Sequence, residues 1–412
     1  PACHVNEVIR AYEDREGISL NKEQRDAVHL VAGNHFAVVT GGAGCGKTTV
    51  MEVICEILED QGFDVIQLAL AGKAAKRMTQ ATGRPAMTLA SFIKNVRDQE
   101  GGELHAVRKP SALVVDEASM VDLISFSATV DLISADTKIV LIGDPHQLPP
   151  VGPGLILHCL SEAPEIPHVE LKVAKRFGTE IADLAHHVKD GLLPARDRFV
   201  GPLCFIESEQ FDMAEIAANL YLERSQDTVV LCATRAVAST VNEIVQRSQS
   251  NKRKPLRLWS IEYDRWEEAG FFEGDLLICT KNHWDLGLQN GSMGRLVSIQ
   301  DSAAIGEAEA TELGCIEWDD GVVRPFHEEL LDSLELGYAL TMHKAQGSQW
   351  PRVVICLPVT DRARNIERSL VYTAITRAQS EVVMLGIHER LVDAVRHKKS
   401  ADRRRVGLSK RL

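Results

Sequence analysis

Phe36-Ala37-Val38-Val39-Thr40 runs directly into Gly41-Gly42-Ala43-Gly44-Cys45-Gly46-Lys47-Thr48-Thr49, and this stretch decides the fold. Five residues rich in β-branched and apolar side chains read as a buried strand. The following Thr48 to Leu58 reads as a helix, and the turn between them has the spacing G-x-x-x-x-G-K-[ST]. Glycines at those positions let successive backbone N–H groups turn inward around phosphate, and the helix N-terminus adds its dipole. Gly41 to Thr49 are therefore the candidate nucleotide-binding residues. Lys47 is placed to reach the β- and γ-phosphates, and the Thr48 hydroxyl to ligate Mg²⁺.

Working outward, Ala112-Leu113-Val114-Val115-Asp116 is a second buried strand, closed by Glu117. Adjacent acids at a strand's C-terminal edge fit a division of labour in which Asp116 holds the metal and Glu117 orients or deprotonates the attacking water. Asp64 to Leu70 and Lys138 to Gly143 are further strands, with a helix over Lys73 to Gln80. A second alternating set follows: strand Thr228 to Cys232, helix Ala236 to Arg247, then strands Val353 to Leu357 and Val382 to Leu385. Strands alternating with helices predict parallel α/β architecture. Between about Pro255 and Leu334 the character changes. Turn signals at Glu273-Gly274-Asp275, Asn290-Gly291 and Asp319-Asp320-Gly321 separate short strands at Leu276 to Thr280, Arg295 to Ile299 and Cys315 to Trp318. That reads as a small β-barrel inserted in the second α/β domain.

The 412 residues suffice for two to four domains, and 45% hydrophobic content can build more than one core. No apolar run is long enough to span a bilayer, and the start PACHVNEVIR lacks a basic segment followed by an apolar one, which predicts a cytoplasmic protein. Beginning at Pro1 leaves open a processed start or a cut from a longer chain. Nine cysteines lie scattered with no C-x-x-C pair, which predicts free thiols and no zinc or iron–sulfur site. The net charge of −12 does not exclude nucleic acid, because phosphate contacts act within about a Debye length. It predicts binding confined to a groove. The tail from Arg396 to Leu412 is strongly basic, either as a contact for nucleic acid or a partner or as a solvated end.

Beyond the phosphate loop, the motifs resemble those of superfamily 1 helicases, and within them the 5′-to-3′ RecD-like branch. Leu20-Asn21-Lys22-Glu23-Gln24 is similar to the adenine-reading segment, which implies Gln24 as a base contact. Ala69-Leu70-Ala71-Gly72-Lys73-Ala74-Ala75 resembles motif Ia, implying strand contacts by Gly72 and Lys73. Thr88-Leu89-Ala90-Ser91-Phe92 stands where the family often has a histidine; here that position is Ala90, leaving Thr88 and Ser91 as the implied contacts. Gly143-Asp144-Pro145-His146-Gln147-Leu148-Pro149-Pro150 resembles motif III, with Gln147 beside the γ-phosphate. Leu171 to Phe177 resembles motif IV and implies a phosphate-contacting Arg176. Ala339-Leu340-Thr341-Met342-His343-Lys344-Ala345-Gln346-Gly347 matches motif V. It implies a strand grip by Thr341, His343 and Lys344, and nucleotide–DNA coupling by Gln346 and Gly347. Ala374-Ile375-Thr376-Arg377-Ala378 resembles motif VI, with Arg377 as arginine finger.

The resemblance implies a domain plan: a first RecA-like domain over 1–175 with a short pin over 93–111, its turn at Glu100-Gly101-Gly102-Glu103. A second RecA-like domain covers 176–255 and 335–412, with an SH3-like barrel over 256–334. The barrel segment Phe272 to Asn282 through Gly294 carries that likeness, with Leu276-Leu277-Ile278 a mild departure from the family's opening. Asn282 is its implied DNA contact, and Trp284 offers either a stacking platform or an ordinary barrel position. The expected activity is ATP-dependent DNA unwinding with Mg²⁺, acting on single-stranded and tailed duplex DNA in repair, recombination or conjugation. Closing of two domains on ATP would bring Arg377 and Arg176 to the transition-state charge, and hydrolysis would release it. Two other activities remain compatible: a nucleic-acid-stimulated clamp ATPase that separates no strands, and an RNA helicase.

Overall fold

The computed structural model describes residues 2–98, 110–173, 180–251, 253–260, 262–300, 312–358, 366–396 and 401. Arg176, the pin turn at Glu100 to Glu103 and nearly all of the basic tail lie outside the described residues. Two compact units emerge. The first comprises Pro1–Ala195, Ile366–Thr376 and Val392–Leu412; the second comprises Arg196–Asn365 and Arg377–Leu391.

The first unit is built on six parallel strands, β1 (Phe36–Gly41), β2 (Asp64–Ala69), β3 (Ala86–Thr88), β4 (Ser111–Asp116), β5 (Lys138–Gly143) and β6 (His168–Leu171). They lie in the order β3-β2-β4-β5-β1-β6. Apolar side chains alternate between two cores, as a pleated strand requires. Val39, Val114 and Ile142 face one core with Val53, Ile54 and Ile57 of the helix Lys47–Asp60. Val38, Leu113, Val115 and Leu141 face the other with Phe92, Ile156 and Leu157. Both faces are covered, so β1, β4 and β5 read as continuous apolar runs. Parallel pairing of β1 with β5 and of β5 with β4 puts their C-terminal ends on one edge. That edge carries the phosphate loop, motif III and the acid pair in adjacent positions.

The second unit holds β7 (Leu203–Glu207), β8 (Thr228–Cys232), β9 (Pro255–Ser260), β10 (Arg265–Phe272), β11 (Leu276–Cys279), β12 (Met293–Ile299), β13 (Glu312–Trp318), β14 (Val323–His327), β15 (Leu334–Leu336), β16 (Ala339–Thr341), β17 (Trp350–Leu357) and β18 (Ala378–Gly386). A parallel sheet runs β16-β8-β17-β18-β7, and an antiparallel sheet runs β14-β13-β12-β11-β15. Strands β9 and β10 form a separate antiparallel ribbon that the sequence reading did not anticipate. The antiparallel strands enclose their own core of Leu277, Leu296, Ile316, Trp318 and Phe326, to which Leu256 of the ribbon also belongs. At Gly314 the backbone turns to φ 154°, and an added Cβ would stand 2.0 Å from the Ser298 carbonyl oxygen. Only glycine fits that close approach of β13 to β12. Among the described residues no helix is long and apolar enough to cross a membrane, and no cluster of three or more metal-binding side chains occurs.

Candidate nucleotide-hydrolysis site

The phosphate loop leaves β1 and enters the helix Lys47–Asp60 through Gly46, its N-cap residue. Gly44 and Gly46 take φ of 80° and 78°, a left-handed region that a β-carbon disfavours. Gly41 is pressed against β6, where an added Cβ would lie 2.9 Å from Leu171 Cβ. Lys47 Nζ donates to the carbonyls of Gly41 at 2.7 Å and Gly42 at 3.0 Å, which holds its charge at the loop. Thr48 is exposed on the first helical turn and Thr49 half-buried. Cys45 is buried within the loop, and burial pushes its thiol pKa up.

Gln24 sits behind this loop and is fully buried. Its Oε1 accepts from Asn21 N at 3.0 Å while Asn21 Oδ1 accepts from Gln24 N at 2.9 Å, a reciprocal capping box for the helix Lys22–Gly33. Its Nε2 donates to the Cys45 carbonyl at 3.2 Å. The side chain that the resemblance implies as a base contact is therefore engaged on both polar atoms by backbone, bracing the phosphate loop.

The acid pair ends β4. Burial, then the adjacent Glu117, push the Asp116 carboxyl up to about 6, opposed by the Glu117 N–H, Lys47 and Arg77. The Glu117 N–H donates to Asp116 Oδ1 at 2.8 Å. Glu117 itself has φ 51° and ψ 37°, left-handed for a residue with a side chain, a conformation that concentrates at functional sites. Its carboxylate is 3.8 Å from Arg77 on the helix Gly72–Thr82.

Strand β5 delivers motif III between the loop and the acids. Asp144 is fully buried; its Oδ1 accepts from His146 N at 3.0 Å and its Oδ2 from the Tyr372 hydroxyl at 2.7 Å. The same hydroxyl accepts from Ala43 N at 3.3 Å, and Thr373 Oγ1 accepts from Leu148 N at 2.8 Å. The helix Arg368–Ile375 thus ties motif III to the phosphate loop inside the first unit. Gln147 is buried, and its Oε1 has no hydrogen-bond partner among the described residues. A buried amide oxygen of this kind calls for a donor. Beside the loop lies a cavity of about 550 Å³ lined by Gly42, Ala43, Lys172, His186, Lys189 and Tyr372.

The remaining implied residues divide by exposure. Gly72 and Lys73 open their helix half-buried. Thr88 and Ser91 are buried, with their hydroxyls 2.7 Å apart and Thr88 Oγ1 accepting from Ser91 N at 3.1 Å. They serve the start of the helix Leu89–Asp98, and Ala90 is the exposed residue between them. Asn282 is exposed and its Oδ1 accepts from Asn290 N at 2.8 Å. In the second unit, motif V leaves the edge strand β16 in a tight turn, with Gly347 at φ 74°. Lys344 Nζ pairs with Glu335 at 2.7 Å. His343 is exposed, and desolvation together with Arg235 lowers its pKa. Gln346 is buried, and the buried Arg377 donates from Nη1 to the Ser348 carbonyl at 3.4 Å. The fold therefore brings motif V and Arg377 together within that unit. A cavity of about 470 Å³ reaches Thr341 and Lys344, lined also by Arg235, Asn242, Gln246 and Phe271. Sequence reading missed Arg77, Tyr372 and the buried role of Asp144. The signal for Arg77 was its position four residues after Lys73, on the same helix face.

A family model described as an AAA domain matches residues 19–199, and one described as a UvrD-like helicase C-terminal domain matches residues 336–385. The RecBCD enzyme subunit RecD of Mycolicibacterium smegmatis is 30% identical, over 95% of this chain and 75% of that protein. The ATP-dependent RecD2 DNA helicase of Deinococcus radiodurans is 29% identical over 90% of this chain, which spans only 49% of its length. The crystal structure of Pif1 helicase from Candida albicans shares the fold at a TM-score of 0.57 and 19% identity, covering 93% of this chain and 98% of that one. The chain belongs to the RecD-like branch of the superfamily 1 DNA helicases.

Proposed function

We propose that this chain is an ATP-dependent DNA helicase that moves 5′ to 3′ on single-stranded DNA and opens tailed duplex. The observation that carries the reading is the shared edge of β1, β5 and β4. It aligns a phosphate loop with left-handed Gly44 and Gly46, a buried Gln147 amide oxygen and the Asp116–Glu117 pair. This is the minimum set for splitting a phosphoanhydride. Lys47 neutralises charge on the β- and γ-phosphates, Glu117 orients the attacking water and takes its proton, and Gln147 senses the γ-phosphate. The residues present also fit Mg²⁺: Thr48 is exposed on the first helical turn after the loop, and Asp116 offers a carboxylate whose desolvated charge a cation would relieve. Bound there, the ion would supply charge neutralisation on the phosphates.

Arg377 is proposed as the arginine finger, and Gln346 with Gly347 as the link from nucleotide to strand grip. Thr341, His343 and Lys344 grip the strand from the second unit, Gly72 and Lys73 from the first. The segment 256–334, which holds most of the antiparallel sheet and its ribbon, is proposed as an SH3-like insertion, interrupting a RecA-like domain of 176–255 and 335–412 that follows a first one of 1–175. The test is ATP-dependent unwinding of duplex carrying a 5′ tail against the same duplex with a 3′ tail. Opening of the 5′-tailed substrate alone is expected. Opening from the 3′ tail would overturn the polarity, and DNA-stimulated hydrolysis without opening of either would leave a clamp or partner-dependent subunit.

A further inference from the structure

Arg77 lies outside every role assigned so far, yet it is the side chain of the helix Gly72–Thr82 that faces the hydrolytic acid. The helix turns Ala74, Ala75 and Met78 into the protein. Lys73 and Arg77, four residues apart, share another face. One guanidinium nitrogen of Arg77 stands 3.8 Å from Glu117 Oε1, and its Nε is buried without a hydrogen-bond partner among the described residues. At 3.8 Å the contact is an ion pair and not a hydrogen bond, so a small displacement makes or breaks it. The acid it pairs with is the residue that follows β4 with left-handed φ 51°. One short helix therefore joins an implied strand contact, Lys73, to the carboxylate that must orient water.

Resting on the helicase reading above, we propose that Arg77 is a positioning residue. It holds Glu117 against the helix in the absence of nucleic acid and releases it when a single strand occupies the Lys73 face, making hydrolysis strand-dependent. A strand phosphate is the natural competitor. It offers a guanidinium two oxygens in a planar fork and meets donors that one distant carboxylate oxygen leaves largely unused. Drawing Arg77 toward phosphate removes this restraint from Glu117, so occupancy at the strand is reported to the acid through one side chain.

The experiment measures steady-state ATP hydrolysis of the full chain with and without oligo-dT, on the unaltered protein and on R77Q and R77K, with oligo-dT affinity by fluorescence anisotropy. R77Q is expected to raise the DNA-free kcat about two- to fivefold, the factor an ion pair of this exposure is worth. Its DNA-saturated kcat and KM for ATP are expected to stay within about twofold of the unaltered protein, so the stimulation factor shrinks, while oligo-dT affinity weakens several-fold because the guanidinium–phosphate contact is lost. R77K, which keeps the charge, is expected to restore most of the DNA dependence. R77M, similar in length, gives the same readout where R77Q does not fold. A neutral variant that leaves DNA-free hydrolysis unchanged, or lowers hydrolysis equally with and without DNA, overturns the proposal. An unaltered protein that oligo-dT does not stimulate overturns the helicase reading itself, a result visible before any variant is made.

Discussion

Gln24→Glu separates two roles that one side chain can play at a nucleotide site. In the structure Gln24 Oε1 accepts the Asn21 N–H at 3.0 Å, and Nε2 donates to the Cys45 carbonyl at 3.2 Å. A glutamate keeps the first bond, since a carboxylate oxygen serves a capping box equally well. It replaces the second by two acceptors facing each other in a fully buried position. Losing that bond and leaving the carbonyl unsatisfied costs about 1–3 kcal/mol. If the cost falls on the nucleotide-binding form of the loop, affinity drops about 5- to 150-fold. The assay is titration of fluorescent ATP and GTP analogues at pH 8, where a buried carboxyl is less able to take up a proton and donate in place of the amide. Circular dichroism checks that the variant folds. A brace acts on the phosphate loop, so both nucleotides should weaken by the same factor. Weakening of ATP alone, with GTP unchanged, would refute the brace and return Gln24 to base recognition.

Arg377→Ala should leave the protein folded and bound to DNA but lower kcat by about 10³; undiminished turnover removes its role as finger. Asp275→Ala removes a buried carboxylate that accepts from Tyr338 Oη at 2.8 Å, Gln246 Nε2 at 2.6 Å and Phe272 N at 2.8 Å, and pairs with Arg253 at 3.2 Å. The expected loss is about 3–5 kcal/mol, read as a lower melting transition, and an unchanged transition contradicts it. Because burial and Glu117 push Asp116 up to about 6, its protonation below that pH should remove the cation-holding carboxylate. At limiting Mg²⁺, which competes with the proton for that carboxylate, hydrolysis should therefore fall from near pH 6, and saturating Mg²⁺ should move the fall to lower pH. The raised pKa means that the fold favours the protonated form, so this group becomes less destabilising as pH falls from about 6 toward its unfolded value. Activity should be lost with the fold intact, and a rate profile flat to pH 5 with unchanged circular dichroism contradicts it.

Among the parallel strands, the plainest in the sequence are those buried on both faces. Lys138–Gly143 and Thr228–Cys232 are apolar runs after their first residue, and they form where the pattern puts them. His168–Leu171 and Leu203–Glu207 were not read, because a half-buried strand of four or five residues broken by His, Glu or Cys carries too little periodicity. The ribbon strand Arg265–Phe272 was hidden similarly, its alternation blurred by Glu267, Glu268 and Gly270. The phosphate loop and acid pair were legible because phosphate chemistry needs contiguous residues at set spacing. Tyr372 was not, since its bond to Asp144 joins residues 228 apart, and neighbouring letters do not announce such a contact. Thr88 and Ser91 show the opposite difficulty: a hydroxyl placed by resemblance on a DNA face also satisfies a helix start, and the structure engages both locally.

The antiparallel insertion is attached to the second parallel sheet without a slack linker. Strand β15 ends at Leu336 and β16 begins at Ala339, so Gly337 and Tyr338 alone separate the two sheets. Asp275 fastens the exit at Tyr338 to the entry at Arg253 and to Gln246 on the helix Arg235–Ser250. Mechanically this is a welded joint. A load applied to the insertion, as by a strand pulled across it, arrives at Thr341 within three residues of Tyr338 instead of dissipating in a tether. Force on that sheet and the grip proposed for motif V are then one mechanical variable. Loosening the joint with inserted glycines after Leu336 would uncouple pulling from gripping while leaving every side chain of the nucleotide site in place.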